Sequence, residues 1–171
     1  QMEAGAVGMT CAKLGEAEAL ADAGIKNILI ANQIIGPVKI ARLVELRKRS
    51  NPIVAVDSLE NARMISEMAS AAGMDIGVLV EVNIGMNRCG VAPGQATLEL
   101  VKDVVNLPGL RFEGLQGYEG HLVALRDEAE RIEKTRAALQ LVVKTRHLIE
   151  HAGFRVNIVS GGGTGTYNVT G

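Results

Sequence analysis

One recurring piece of punctuation limits what this chain can fold into. Ala4-Gly5, Ala23-Gly24, Ala72-Gly73 and Ala152-Gly153 each close a helix-like stretch, and Pro108-Gly109 does similar work. Glycine just past a helix end takes the left-handed cap without a steric cost. A short aliphatic run follows each one: residues 7–11, 28–31, 76–82, 110–115 and 156–160. A further run, residues 53–56, follows Ser50-Asn51-Pro52. Runs this short, rich in Val and Ile and flanked by turn residues, read as buried parallel strands.

Helical patterns lie between them. Ala138, Leu141, Val142, Thr145, Leu148 and Ile149 share one face of a helix, with Arg136, Lys144 and Arg146 elsewhere. Asp57 or Ser58 is placed to cap a helix over residues 59–72. Residues 37–49 end in Arg47, Lys48 and Arg49, the charge that suits a helix C-terminus better than a nucleic-acid patch. The alternation predicts an α/β chain with a parallel sheet covered by helices. Two architectures compete, a doubly wound open sheet and a (β/α)8 barrel. A full barrel takes roughly 250 residues. The 171 residues here, with their six strand-like runs, amount to about three quarters of one. Met2-Glu3-Ala4-Gly5 reads as the last turn of a helix that begins earlier, and the final strand is followed only by a loop. The expectation is an incomplete barrel of about six of its eight strands, the first upstream of Gln1 and the last downstream of Gly171.

Composition narrows the partners. Eighteen Lys and Arg against 19 Asp and Glu leave a net charge of −1, which gives no electrostatic case for nucleic acid or an anionic membrane. Hydrophobic residues at 47% and charged residues at 22% suit a soluble globular protein. Aromatics at 2%, with no Trp, require an aliphatic core. Cys11 and Cys89 are too few for a disulfide framework. No apolar run reaches membrane-spanning length and no signal peptide is visible, so a cytoplasmic, reducing setting is expected.

In both architectures function sits at the C-terminal ends of the strands. The candidates there are Ala12 and Lys13, Asn32 and Gln33, Asp57 and Ser58, residues 83–88, 116–121 and 160–166. Three of these segments stand out. Ser160, Gly161, Gly162, Gly163, Thr164, Gly165 and Thr166 combine four glycines with three hydroxyls, a composition that lets backbone N–H groups converge on a phosphate. The loop is neither a P-loop, since no Lys follows a Gly, nor a dinucleotide fingerprint, since Asn168 stands where a third Gly belongs. Gly85-Met86-Asn87-Arg88-Cys89-Gly90 sets a permanent charge at a barrel mouth, suited to a phosphate, carboxylate or phenolate. Gly117-Tyr118-Glu119-Gly120-His121 supplies acid–base or ring-contacting groups.

Other matches are decoys. His147-Leu148-Ile149-Glu150-His151 spells an inverted zinc-protease pattern, but it ends an amphipathic helix on the exterior, where imidazoles need no metal to explain them. Asn168-Val169-Thr170 matches a glycosylation site without any sign of secretion. Cys11 and Cys89 both lie at strand ends and read as small buried residues, with free thiols near a site as the alternative.

Four segments, VGMTCAKLGEAE, GVLVEVNIGMNRCGV, GLQGYEGH and VSGGGTGTYNVTG, in that order, resemble the D-threonine aldolase family. These enzymes share the alanine-racemase-like barrel, fold type III of the pyridoxal 5'-phosphate (PLP) enzymes. GYEGH favours this branch over alanine racemase itself. The resemblance implies that Arg88 donates to the phenolic oxygen of PLP and that Tyr118 meets the pyridine ring at its nitrogen. It implies that Ser160, Gly161, Gly162, Gly163, Thr164 and Gly165 hold the phosphate, Thr164 being the best single side chain. Relatives often carry a cofactor-touching Gln where this chain has Ala12. The implied reaction is retro-aldol cleavage of a D-3-hydroxy amino acid such as D-threonine to glycine and an aldehyde, assisted by a divalent metal, Mn or Mg.

The family's Schiff-base lysine has no counterpart here. It belongs upstream of Gln1, and Lys13 sits at the end of the next strand. The metal ligands, a His and an Asp, belong to a C-terminal β-domain downstream, so no metal ligand is assigned within the 171 residues. The chain alone is therefore expected to be inactive, with its parent a monomer or homodimer acting on a small-molecule D-amino acid. A D-serine dehydratase or 3-hydroxy-D-aspartate aldolase or dehydratase of the same fold is the alternative within the family. A non-catalytic PLP-binding barrel is the alternative outside it.

Overall fold

The helix-closing glycines do what their positions require. In the computed structural model, which describes residues 1–170, Gly5, Gly24, Gly73, Gly109 and Gly153 all have positive φ, between 64° and 94°. Each leads the chain out of a helix or turn toward the next strand. The strands are β1 (Met9–Cys11), β2 (Asn27–Gln33), β3 (Asn51–Val56), β4 (Ile76–Glu81), β5 (Leu110–Gln116) and β6 (Ile158–Ser160). The helices are α1 (Leu14–Asp22), α2 (Pro37–Leu46), α3 (Leu59–Ala71), α4 (Gln95–Val105), α5 (Glu128–His151) and the short α6 (Tyr167–Thr170).

The six strands form one sheet in the order β1-β2-β3-β4-β5-β6. β1 with β2, β2 with β3, and β5 with β6 are parallel. An order that never reverses excludes the doubly wound alternative, whose strands change direction of progress at a switch point. The architecture is the barrel-type α/β fold expected from the alternation.

Two compact units divide the chain. The first comprises Gln1–Leu79 and Asp103–Phe112, the second Val80–Lys102 and Glu113–Gly171. In the first, Ile28, Ile30, Ile40, Leu43, Val54, Ile65, Ile76 and Leu79 are fully buried, the aliphatic core that a chain poor in aromatics must use. A polar ladder joins the starts of its strands. Asn27 Nδ2 donates to Val7 O (2.9 Å), Asn51 Nδ2 to Asn27 Oδ1 (3.5 Å), and Arg111 Nη2 to Asn51 Oδ1 (3.2 Å). Asp75 receives Arg111 on one carboxylate oxygen and Arg47 Nη2 on the other (3.1 Å).

That ladder corrects one reading of the basic cluster. α2 ends at Leu46, before the cations, so they do not occupy its last turn. Arg47 turns to Asp75, Lys48 pairs with Glu45, and Arg49 pairs with Asp22. Ser58, not Asp57, caps α3 by accepting from Asn61 N (3.3 Å).

The second unit buries Val80, Val82, Ile84, Val101, Leu115 and Val142. α5 is capped by Asp127, whose carboxylate accepts from Glu130 N (2.8 Å). It buries Thr135, Ala138, Val142, Thr145 and Ile149, close to the face read from the sequence, while Leu141 and Leu148 flank it in partial exposure. Thr145 Oγ1 donates to Leu141 O (2.7 Å) and accepts from Gly94 N (2.9 Å), which anchors the turn before α4.

The outer strands are shorter than the aliphatic runs. Val7 precedes β1 and is 87% exposed, and Val156 is buried but precedes β6. Among the described residues no helix is long and apolar enough to cross a membrane.

Candidate functional site

The three segments singled out in the sequence all fall in the second unit. β4 ends on Glu81, a buried carboxylate, and the chain then turns through Asn83. Asn83 Oδ1 accepts from Gly85 N (3.0 Å) and Asn87 N (3.1 Å), and Asn83 Nδ2 donates to Asn87 Oδ1 (2.9 Å). Asn87 is held at φ 52°, a left-handed conformation that Asn tolerates better than most residues. The loop returns to the sheet when Val91 N donates to the Glu81 carbonyl (2.9 Å) and Asn83 N to Val91 O (2.8 Å). Gly90 must lack a side chain: a Cβ would lie 2.7 Å from Asn83 N. Between these fixed points Arg88 stands exposed.

Electrostatics link this loop to its surroundings. Arg88 is held above the ordinary guanidinium value, first by its hydrogen bond to the Cys89 sulfur, then by Cys89, Glu81 and Tyr118 acting through space. Cys89 Sγ donates to Glu81 Oε1 (3.0 Å). Burial, followed by that carboxylate, pushes the Cys89 thiol up, and Arg88 offsets only part of the rise.

β5 delivers the second segment. Gly117 N donates to Ser160 O (2.8 Å), which locks the exit of β5 to the exit of β6. Tyr118 is half-buried. Gly120 leaves room for the Tyr118 ring, which a Cβ there would strike. A Cβ on Gly163 would sit 3.3 Å from Tyr118 Cε2 and 3.4 Å from its phenol oxygen, so the phenol lies against the glycine-rich loop. His121 is exposed, and its Nε2 would lie 2.9 Å from a Cβ on Gly85, so this segment also meets the Arg88 loop.

The third segment is organised from below by a residue whose role the sequence did not disclose. Glu119 is wholly buried. Its Oε1 accepts from Thr166 Oγ1 (2.5 Å), itself fully buried, and its Oε2 accepts from Gly162 N (3.2 Å). Thr166 Oγ1 accepts in turn from Gly163 N (3.1 Å). Two of the loop's N–H groups are thus bound internally. The N–H groups of Gly161, Thr164 and Gly165, and the Ser160 and Thr164 hydroxyls, have no hydrogen-bond partner among the described residues. Thr164 is exposed. The available signal for Glu119 was a carboxylate one residue beyond a strand-end Tyr, with no cation in its own motif.

This arrangement suits a phosphorylated, flat ring. The loop offers unpaired backbone donors, the phenol of Tyr118 lies beside them, and Arg88 supplies a fixed positive charge in the same unit.

Several of the remaining candidates serve local structure instead. Glu16 accepts from Ala12 N (2.9 Å) and Lys13 N (3.0 Å), closing the turn after β1, and Asn32 Nδ2 donates to Ala12 O (3.2 Å). Glu150 is paired with Arg146, and His151 Nδ1 lies 3.1 Å from the His147 carbonyl. Among the described residues no group of three or more His, Cys, Asp or Glu is arranged to hold a metal ion. Asn168 is exposed on α6.

Comparison with known proteins adds to this geometry. The family described as alanine racemase, N-terminal domain, matches residues 1–169. The chain is 37% identical over 166 residues to D-threonine aldolase of an Arthrobacter species, covering 97% of this chain and 44% of that protein. It is 38% identical over 164 residues to 3-hydroxy-D-aspartate aldolase of Paracoccus denitrificans (strain Pd 1222), covering 95% and 42%. The crystal structure of D-threonine aldolase from Filomicrobium marinum superposes with a TM-score of 0.96 at 42% identity, covering 99% of this chain and 46% of that one. The chain therefore spans less than half the length of these relatives.

Proposed function

Because the chain belongs to the alanine racemase N-terminal domain family, we propose that it forms the cofactor-binding part of a PLP-dependent lyase that splits D-3-hydroxy amino acids. The reaction assigned is retro-aldol cleavage, D-threonine to glycine and acetaldehyde. The observation that carries the reading is the meeting of the Tyr118 phenol with Gly163 in the unit that also holds Arg88. Bound there, PLP supplies an electron sink for breaking the Cα–Cβ bond.

The residues of this chain do the rest. Arg88, a planar and permanently charged donor, faces the phenolic oxygen of the cofactor. Tyr118 meets the ring nitrogen as a neutral partner and so limits protonation there. Ser160, Gly161, Thr164 and Gly165 donate to the phosphate, while Gly162 and Gly163 shape the turn that aims them. The lysine that bonds the cofactor and the metal ligands, a His and an Asp holding Mn or Mg, are assigned to segments before Gln1 and after Gly171. The 171 residues alone should then bind without turning over, in a cytoplasmic protein.

The similarity to a 3-hydroxy-D-aspartate aldolase, at 38% against 37% for the D-threonine enzyme, supports a second substrate for the same chemistry. The test is an assay of the protein carrying both flanking segments with PLP and Mn, against D-threonine and 3-hydroxy-D-aspartate. Release of glycine from either supports the reading. Absence of cleavage with both, in a protein that binds PLP, overturns the lyase and favours a non-catalytic carrier. An absorption band of a lysine-bonded cofactor in the 171 residues alone would overturn the placement of the lysine.

A further inference from the structure

We propose that Glu119 is the positioning residue of the anion loop: through hydrogen bonds to Thr166 and Gly162 it decides which backbone N–H groups remain free for a phosphate. The inference rests on the cofactor reading above and deepens it.

The case starts from burial. Glu119 and Thr166 each have no exposed surface, and their side chains meet at 2.5 Å. Burying a carboxylate is costly unless its oxygens are bonded, so this one is held for the bonds it makes. Both oxygens point at the loop. Oε2 binds Gly162 N at 3.2 Å, and Oε1 binds the Thr166 hydroxyl, which captures Gly163 N at 3.1 Å. The Thr166 backbone closes the same turn, its N donating to Gly163 O (3.0 Å).

The result is a sorted set of donors. Gly162 and Gly163 point inward, while Gly161, Thr164 and Gly165 keep their N–H groups unpaired. Without the carboxylate, Gly162 N loses its acceptor and the Thr166 hydroxyl its partner, and the free donors lose their common aim. The negative charge itself does not help an anion bind. The bonding pattern is what matters, and glutamine can reproduce it. With its carbonyl toward Gly162 N and its amide donating to Thr166 Oγ1, the hydroxyl proton turns to Gly163 O, already 3.3 Å away.

The test compares binding of PLP with binding of pyridoxal, which lacks the phosphate, by fluorescence titration of the purified protein. The ratio of the two dissociation constants isolates what the loop contributes. Wild type should prefer PLP. Glu119→Gln should keep the preference, and Glu119→Ala should lower it about tenfold or more. Thr166→Val, which preserves shape, should lower it similarly and keeps the test readable if Glu119→Ala does not fold. Thr166→Ser should restore it. Unchanged preference in both Glu119→Ala and Thr166→Val overturns the proposal, and so does a loss in Glu119→Gln as large as in Glu119→Ala, which would assign the effect to charge. Failure of wild type to prefer PLP would instead overturn the cofactor reading.

Discussion

The two units solve the same problem with different materials. Both must finish strands and turn the chain into helices. The first does so over an almost wholly aliphatic core, with only Ser50, Asn61 and Ser66 as buried polar residues. The charged groups of its ladder, Asp75, Arg47 and Arg111, remain partly exposed. The second buries Glu81, Thr97, Gln116, Glu119, Thr135, Thr145 and Thr166. Most of these side chains bond to loops at the strand exits or to the turn before α4. Interior polarity is expensive, and here it is concentrated where the chain must hold irregular backbone still.

The largest break in this contrast is Ile65→Ala in the first unit. A fully buried side chain is lost, so urea titration should show a loss of about 2–5 kcal/mol. The PLP-to-pyridoxal preference should stay as in wild type in the folded fraction. Thr145→Val asks whether any buried polar residue of the second unit behaves like Glu119. It leaves Gly94 N without an acceptor, and a loss of about 1–3 kcal/mol is expected, again without a change in that preference. A drop in preference equal to that of Thr166→Val would erase the distinction between packing and positioning. Asp75→Asn weakens two ion pairs at once. Because all three side chains are partly exposed, the expected loss is only about 1 kcal/mol, shrinking further in added salt.

The smallest effect concerns pH. Burial and Glu81 raise the Cys89 thiol, so it stays protonated where an ordinary thiol has begun to ionise. A group raised in the folded state contributes stability below its unfolded value and loses it as pH rises through the folded one. The Cys89 contribution should therefore fade only on the alkaline side. Iodoacetamide should label Cys89 more slowly than an unfolded-peptide thiol at mildly alkaline pH. Equal rates would show the thiol to be unshielded.

Much of the fold was legible because glycine is explicit. A Gly after a helix states its conformation, and five of them marked where strands begin. Strand length was less so. Val7 and Val156 extend aliphatic runs, yet neither pairs, because hydropathy records burial and attraction but not which residue has a neighbouring strand. The end of α2 was misread for a related reason: Arg47, Lys48 and Arg49 have the charge a helix terminus favours, but carboxylates distant in sequence claimed two of them. At the candidate site, Arg88, Tyr118 and the glycine-rich loop announced themselves by motif. Glu119 was visible only as one member of a triplet with acid–base chemistry. Its bond to Thr166, 47 residues away, is a tertiary fact that no local spacing encodes.

The unbroken strand order carries a consequence for synthesis. Among the described residues, neighbouring strands of the sheet are always consecutive in the chain. A ribosome therefore releases the strands in the order in which they lie across the sheet. Of the six, β5 and β6 emerge after the others, so the Glu119–Thr166 bond that shapes the anion loop can form only once both have been made.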